Sequence, residues 1–327
     1  MNQQDQKQRN REQVLSLLRS VPRISQVEIA ERSRLQPSTT SNLIRILKER
    51  GIVASMGKRD SGPQGGKKAE ILGLRGEYGH FGGIYLKEDE IIFGVVDFGG
   101  CIVARKSISV SNEKDDFLMA TIAAEVEANV RRYPTYRGTG IAVSSVVNLN
   151  GEITESLYFN RTIPRIISEI RLRVPELPVV VDNDANCAAD WVLVNQADGS
   201  RNLVHLQVQT SPVTIGAGII IDGRLYRGTT GAAGELLQNG ATVGNGELAG
   251  AIETMARFVA TLLDTEGVFV AGELDAPTLS QLSASAQLFE AEMKKKLHVL
   301  DNPDLPVLGA SLRAIRMHIN QIQWERS

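Results

Sequence analysis

The stretch that decides the fold of this chain is residues 24–51, ISQVEIAERSRLQPSTTSNLIRILKERG. Ser25 and Glu28 have the spacing of a capping box, in which each side chain binds the other residue's backbone N–H, so they predict the start of a first helix. Pro37 predicts the start of a second helix, because proline at the first helical position loses no hydrogen bond, and Gly51 predicts its end. The stretch therefore predicts two short helices joined by a turn.

The second predicted helix has two different faces. Apolar side chains are expected on one face, which holds Leu43, Ile46, Leu47 and the stem of Arg50. The other face carries a polar row at spacings of three and four residues, with one neighbouring threonine: Ser38, Thr39, Ser41, Asn42 and Arg45. Hydroxyl, amide and guanidinium groups can hydrogen-bond base edges and phosphates. The pattern predicts a DNA recognition helix, and an ordinary helical hairpin with a solvated polar face remains the alternative.

The flanks of this stretch favour DNA binding. Upstream, residues 11–19 predict an amphipathic third helix, and residues 1–10 are expected to be frayed. Downstream, residues 52–56 and 69–74 predict two strands joined by a loop rich in glycine and basic residues. The basic side chains expected to contact DNA phosphates or the minor groove are Lys58, Arg59, Lys67 and Lys68. Residues 1–75 are therefore predicted to form a winged helix-turn-helix domain.

Charge is distributed unevenly along the chain. Residues 1–75 hold 15 Lys and Arg against 7 Asp and Glu, whereas the remainder holds 21 against 31, although the net charge of the whole chain is only −2. The basic end is the one expected to meet a polyanion such as double-stranded DNA. Two cysteines are too few for a disulfide framework, and no apolar run is long enough to span a bilayer, so a cytoplasmic protein is expected.

From residue 76 the pattern changes to strands that alternate with helices. Predicted strands lie at residues 80–86, 90–98, 101–110, 138–149 and 178–186, with helices at 115–133 and about 164–172 and a hairpin turn at Asn150-Gly151. Further strands at residues 202–209, 214–223, 224–228 and 268–272 alternate with helices at 248–264 and 279–297. This order predicts a duplicated α/β core with a cleft between its halves, residues 76–190 and 191–327. The second half is expected to mediate dimerisation.

Two motifs connect this core to a known family. DNDAN at residues 182–186 and TIGAGIIIDGRLYRGTTGAAGEL at residues 214–236 follow the winged-helix pattern in order and spacing. With them the sequence resembles the transcriptional-regulator branch of the ROK (repressor, open reading frame, kinase) family. The resemblance implies an α/β fold with a mostly α-helical winged-helix N-terminal domain and a sugar-kinase-like core of the hexokinase/actin (ribonuclease H-like) type. It also implies a repressor that binds a DNA operator as a homodimer or homotetramer and senses a sugar.

The resemblance also implies which residues contact the sugar. Asp184 matches the aspartate that acts as general base in the family's kinases, and Gln238 occupies the position of the family's zinc-binding histidine. The full set of effector-binding candidates is Asn160, Asn183, Asp184, Glu235 and Gln238. Their amides and carboxylates suit vicinal hydroxyl groups. The alternative is that Asp182, Asp184 and Asn186 cap the following helix.

The residues that a kinase needs are changed. The family's glycine-rich phosphate loop falls on residues 85–89, where Tyr85 replaces the metal-associated aspartate and Glu88 and Asp89 would repel phosphate. Gly216 and Gly218 are then expected to serve a tight strand turn. No cysteine follows Cys187, so the thiolate ligands of the family's zinc site are missing.

We therefore expect no metal, no cofactor and no enzyme activity. Two alternatives stay open, a sugar kinase with an added DNA-binding domain and a DNA-binding scaffold without an effector.

Overall fold

The computed structural model describes residues 3–58, 69–110, 115–155, 162–196, 199–210, 213–237 and 247–322. These residues form a winged-helix domain followed by two α/β lobes. No helix within these ranges is long and apolar enough to cross a membrane.

The N-terminal domain is the predicted winged helix. Its elements are α1 (Gln3–Ser20), β1 (Ile24–Ser25), α2 (Gln26–Ser33), α3 (Pro37–Glu49), β2 (Val53–Lys58) and β3 (Glu70–Leu74), and β3 lies between β1 and β2 in an antiparallel sheet. The capping box is present, since the Glu28 N–H donates to Ser25 Oγ over 3.3 Å and the Ser25 N–H donates to Glu28 Oε2 over 2.8 Å.

Two details of this domain differ from the sequence prediction. The segment before Arg11 is helical from Gln3, so the prediction of a frayed end was wrong. Side-chain hydrogen bonds between residues one turn apart, such as Gln6 to Asn10, support this part of α1. The apolar face of α3 is formed by Leu43, Ile44 and Leu47. Ile46 is only half-buried and Arg50 is exposed, because the helical repeat of 3.6 residues turns both away from the core.

The first lobe is a five-stranded sheet. Its elements are β4 (His80–Leu86), β5 (Glu90–Asp97), β6 (Ile102–Ser109), α4 (Asp115–Arg132), β7 (Tyr136–Val143), a small hairpin of β8 (Val146–Val147) and β9 (Ile153–Glu155), α5 (Thr162–Arg173) and β10 (Val179–Asn183). The strand order is β10-β7-β4-β5-β6, with parallel pairing from β10 to β4 and antiparallel pairing from β4 to β6. Helices α4 and α5 pack on one face of this sheet.

The second lobe follows helix α6 (Asp184–Asn195). Its elements are β11 (Leu203–Thr210), β12 (Val213–Ile221), β13 (Arg224–Tyr226), β14 (Glu235–Leu237), α7 (Leu248–Leu263), β15 (Gly267–Gly272), α8 (Ala276–Met293) and β16 (Lys296–Val299). The strand order is β13-β12-β11-β15-β16, and β14 pairs with β12. Helices α7 and α8 cover one face of this sheet and α6 covers the other. Strand β16 was not predicted from the sequence.

The glycines of β12 have a packing role. Gly216 and Gly218 lie inside the strand, so the prediction that they form a tight turn was wrong. A Cβ atom on Gly218 would lie 2.3 Å from the carbonyl oxygen of Ala185. The glycine therefore allows the first turn of α6 to rest directly on the strand.

The last helix of the described residues was missed by the sequence analysis. Helix α9 (Leu305–Gln321) packs on β4 and β7 of the first lobe and on α6. The predicted boundary that assigned residues 191–327 to the second half is therefore wrong for this helix. A Cβ atom on Gly309 would lie 1.9 Å from the carbonyl oxygen of Cys187, so α9 and α6 are in backbone contact.

The winged-helix domain packs against the first lobe and α9. Val14 and Leu18 of α1 belong to the same apolar cluster as Phe98, Ile315 and Ile319. At the edge of this cluster the Arg19 guanidinium donates to the carbonyl oxygen of Phe98 over 3.0 Å and lies over its ring. The two domains therefore share one core.

We predict that Gly309→Ala lowers the free energy of unfolding by about 1–3 kcal/mol, because the added methyl group forces α9 away from α6. Urea unfolding measures this change. Gly250→Ala is the matched control, since Gly250 is also helical but has open space around it, and there the better helix propensity of alanine should stabilise the protein by up to about 1 kcal/mol. Equal effects at the two positions would contradict the packing of α9.

Candidate functional site: a nucleic-acid interface and a polar interlobe cleft

Helix α3 presents the predicted polar row to solvent. Ser38, Ser41, Asn42 and Arg45 are exposed, and Thr39 is half-buried. The buried face of the same helix is held by the domain core, which fixes the direction in which the polar row points. These side chains are thus available to a groove of DNA, as a recognition helix requires.

Arg45 is positioned by its own helix. Its Nη2 donates to Asn42 Oδ1 over 2.8 Å, and its Nη1 lies 2.7 Å from Glu49 Oε1. The Arg45 side chain is nevertheless 58% exposed, so a DNA base can compete with both partners. The paired carboxylate restricts the guanidinium to one orientation, which lowers the entropy that binding has to remove.

The wing begins beside the same helix. Lys58 is exposed at the end of β2, and Lys48 of α3 lies 2.7 Å from Glu70 at the start of β3, which ties the helix to the base of the wing. The other predicted phosphate contacts, Arg59, Lys67 and Lys68, lie outside the described residues, and their role stays a prediction.

The second candidate site lies where β10 ends and α6 begins. Asn183 is the last residue of the strand and caps the helix, since its Oδ1 accepts from the Asn186 N–H over 3.0 Å while its Nδ2 donates to the Ser145 carbonyl oxygen over 3.2 Å. Helix capping was the alternative reading for this motif, and the cap is Asn183 instead of Asp182, Asp184 or Asn186.

Both carboxylate oxygens of Asp184 accept hydrogen bonds. Oδ2 accepts from the Tyr85 hydroxyl over 2.9 Å and from Gln209 Nε2 over 2.8 Å, and Oδ1 accepts from the Ala185 N–H over 2.8 Å. Gln209 Nε2 also donates to the Tyr85 oxygen over 2.6 Å. Tyr85 belongs to the first lobe and Gln209 to the second, so this cluster connects the lobes across the cleft.

Burial controls the ionisation of the cluster. It raises the pKa of Asp184 to about 7, with a contribution from the negative charge of Glu235, while the hydrogen bond from Tyr85 acts in the opposite direction. Burial and the neighbouring Asp184 also raise the pKa of Tyr85 well above its usual value. Asp184 therefore changes its charge near neutral pH.

Sequence reasoning missed Gln209 and Ser144 of this cluster. The Ser144 hydroxyl donates to Gln209 Oε1 over 3.2 Å. Both residues lie at the carboxyl ends of buried strands, β7 and β11, where ligand-binding side chains of open α/β sheets usually lie. Their position at the ends of predicted strands is the feature of the sequence that could have identified them as site residues.

An ion pair lies where the family's phosphate loop would be. Lys87 Nζ, just after β4, is 2.5 Å from Glu273 Oε1 of the second lobe and 3.2 Å from Glu90 Oε2. Glu273 also accepts from the Thr210 N–H and hydroxyl over 2.8 and 2.7 Å. Burial lowers the pKa of Lys87, but the hydrogen bond and charge of Glu273 outweigh this effect and raise it. The pair between Lys87 and Glu273 therefore links the two lobes at this position.

Part of the predicted effector set is brought together. Asn183 and Asp184 are adjacent, and Glu235 on β14 is half-buried and close enough for its charge to act on Asp184. Asn160 and Gln238 lie outside the described residues. Among the residues that the structure does describe, no three His, Cys, Asp or Glu side chains form a cluster that could hold a metal ion.

Two family models match the chain. The model for winged helix-turn-helix DNA-binding domains matches residues 7–54, and the ROK family model matches residues 81–238. Residues 7–54 thus match a winged helix-turn-helix domain and residues 81–238 a ROK-family domain, which confirms the resemblance in the sequence.

Curated relatives include repressors and kinases. The xylose repressor of Staphylococcus xylosus is 26% identical over 232 residues, a match that covers 69% of this chain and 59% of that protein. The xylose repressor of Caldicellulosiruptor bescii is 28% identical over 245 residues, covering 70% and 58%. An N-acetylmannosamine kinase of Vibrio cholerae is 28% identical over 178 residues, covering 52% and 59%. The chain thus spans less than two thirds of the length of these relatives.

Solved structures confirm the predicted fold class. A ROK family transcriptional regulator described as a homologue of the E. coli MLC protein has a TM-score of 0.67 at 16% identity, over 96% of this chain and 97% of that chain. A ROK family glucokinase from Streptomyces griseus, in complex with glucose and AMPPNP, has a TM-score of 0.56 at 20% identity, over 72% and 99%.

We predict that Asp184→Asn changes how stability depends on pH. Because the folded-state pKa of Asp184 lies above its ordinary value of about 3.9, the stability that its protonated form contributes is lost as pH rises towards and through 7. The variant cannot ionise, so from pH 5 to pH 8 its free energy of unfolding should increase relative to wild type by about 1–3 kcal/mol. Urea unfolding at both pH values measures the difference.

The control for this measurement is Asp301→Asn, at an exposed position, which should follow the wild-type pH dependence. A constant difference between Asp184→Asn and wild type across this pH range would contradict the buried, titrating carboxyl group.

Proposed function

We propose that this protein is a sequence-specific DNA-binding transcriptional repressor of the ROK type that responds to a sugar and has no kinase activity. The observation that carries the proposal is the exposed polar row on α3, on a helix whose other face is fixed in the domain core. The positive charge of residues 1–75 and the similarity to xylose repressors support it.

Absence of kinase activity is proposed from the filled phosphate position. Tyr85 replaces the metal-associated aspartate, and Lys87 is held by Glu273 where backbone amides would have to meet phosphate. The general-base position, Asp184, accepts three hydrogen bonds from the protein itself. These contacts favour a repressor over the alternative of a sugar kinase with an added DNA-binding domain.

A symmetric homodimer or homotetramer is part of the proposal, because a single winged helix contacts too little DNA for a specific site. Phe258 and Leu262 are 59% and 65% exposed on α7, and Leu288 is 55% exposed on the adjacent α8. Such apolar side chains on neighbouring helices are typical of contacts between subunits. Operators with inverted symmetry are therefore expected.

A second candidate function is a DNA-binding scaffold without an effector. It is favoured by the hydrogen bonds within the cleft, since a sugar hydroxyl competes with Tyr85 and Gln209 for Oδ2 of Asp184. In that case regulation would depend on a partner protein or on the amount of repressor.

We expect Arg45→Ala to weaken binding to the selected operator by about 1–3 kcal/mol and to relax base preference, because a guanidinium that contacts a base edge is lost. Selection of bound DNA from a random pool, repeated with the variant, measures both effects. Arg131→Ala is the control, since Arg131 is likewise an exposed arginine paired with a glutamate one turn away, Glu127 on α4. An unchanged selected sequence with Arg45→Ala would show that α3 is not the recognition helix.

The sugar response is tested with D-xylose, D-glucose and N-acetyl-D-mannosamine at millimolar concentration. One of these sugars should raise the melting temperature and change the DNA affinity, since a ligand at 100 times its dissociation constant adds roughly 2.7 kcal/mol of stability. ATP with Mg²⁺ should give no shift, and no ADP should form with any of the sugars. ADP formation would support the kinase alternative, and a complete absence of sugar effects would support the scaffold.

A further inference from the structure

The carboxylate of Asp182 connects two distant parts of the chain. Asp182 precedes Asn183 at the end of β10 and is only 2% exposed. Arg227, in the loop after β13, contacts both of its oxygens, with Nη1 at 2.8 Å from Oδ1. Arg313 of α9 approaches the same carboxylate, with Nη1 at 2.7 Å from Oδ2. The second lobe and α9 are thus joined through one buried aspartate.

A second buried carboxylate continues the connection. Asp190 of α6 is 4% exposed, and its Oδ2 lies 2.7 Å from Arg313 Nη2 and 3.0 Å from Arg316 Nη1. Burial raises the pKa of Asp190, but the charges of Arg313 and Arg316 outweigh this effect and lower it. Arg313 therefore bridges the carboxylates of Asp182 and Asp190, and Arg316 is the last residue in this row of ion pairs.

The same helix carries the contact with the winged-helix domain. Ile315 and Ile319 of α9 pack in the apolar cluster that contains Val14 and Leu18 of α1. Burial and the charge of Arg316 lower the pKa of Arg19, at the end of α1, to about 10, while Asp97 opposes this effect. Arg316 thus lies between the buried carboxylates and the domain that carries the recognition helix.

We propose that the ionic network Asp182–Arg313–Asp190–Arg316 transmits the binding of a sugar at Asn183 and Asp184 to the winged-helix domain, with Arg316 as a positioning residue. The proposal rests on the proposed function. A buried carboxylate cannot lose its partner without a large cost in free energy, so a displacement of Asp182 carries Arg313 and then Asp190 with it, and the pair between Asp190 and Arg316 sets the new position of α9. Because α9 shares its apolar face with α1, the winged helix moves as well.

Arg316→Gln tests this role, since Asp190 keeps Arg313 and the 37% exposed position of Arg316 tolerates a neutral side chain. The measured quantity is the ratio of operator affinities without and with the sugar that gives the largest wild-type response among D-xylose, D-glucose and N-acetyl-D-mannosamine. Ratios of about 5 to 150 are typical of allosteric proteins. We expect the ratio to fall towards one, while sugar affinity and sugar-free operator affinity stay within about twofold of wild type.

Two further variants make the result specific. Arg316→Lys keeps the charge but loses the planar guanidinium, so an intermediate ratio is expected. Arg173→Gln removes another arginine that bridges two carboxylates, Glu127 and Glu169 on α4 and α5, and should keep the wild-type ratio.

A wild-type ratio in Arg316→Gln would overturn the proposal, as would a reduced ratio that follows only from weaker sugar binding. If the wild type itself responds to no sugar, the network loses its role together with the sugar part of the proposed function. The operator selection alone then tests the DNA-binding part of the proposed function.

Discussion

Helix α9 is the constraint on which the rest of the structure depends. Residues 305–312 are all buried, and Cβ atoms on Gly83 and Gly140 would lie 2.1 and 1.9 Å from carbonyl oxygens of this helix. Its backbone is therefore in direct contact with the first sheet, and close-packed interiors move between discrete arrangements instead of deforming gradually. Because the winged-helix domain completes its core on the same helix, the DNA-binding domain is joined to the α/β lobes by shared packing and not by a flexible linker.

The cleft between the lobes is crossed by hydrogen bonds and an ion pair of the protein itself. Tyr85, Gln209 and Asp184 bond one another, and Lys87 pairs with Glu273 across the same cleft. These contacts stabilise one arrangement of the lobes in the absence of a ligand. A sugar shifts the equilibrium between the hydrogen-bonded and the opened cleft only by the difference between its affinities for these two states. A sugar whose two affinities are similar therefore has no regulatory effect.

Local patterns in the sequence predicted the local structure well. The capping box at Ser25 and the strand that ends in DNDAN are both present, because each depends on residues close in sequence. Helix α9 was missed because its first half, residues 305–312, is buried on all sides and so lacks the apolar and polar faces that periodicity detects. Partners such as Gln209 for Tyr85 and Arg313 for Asp182 are more than a hundred residues apart, and only the fold brings them together.

Shared packing on α9 implies that the winged-helix domain and the α/β lobes unfold as one cooperative unit. Native-state hydrogen exchange in increasing urea tests it most directly, because it reports the free energy of each opening reaction separately. Amides in the second half of α1 and in α9 should exchange through the same opening, so that their free energies of opening converge as urea rises. Exchange of α1 through a separate opening of lower free energy, while α9 stays protected, would contradict it.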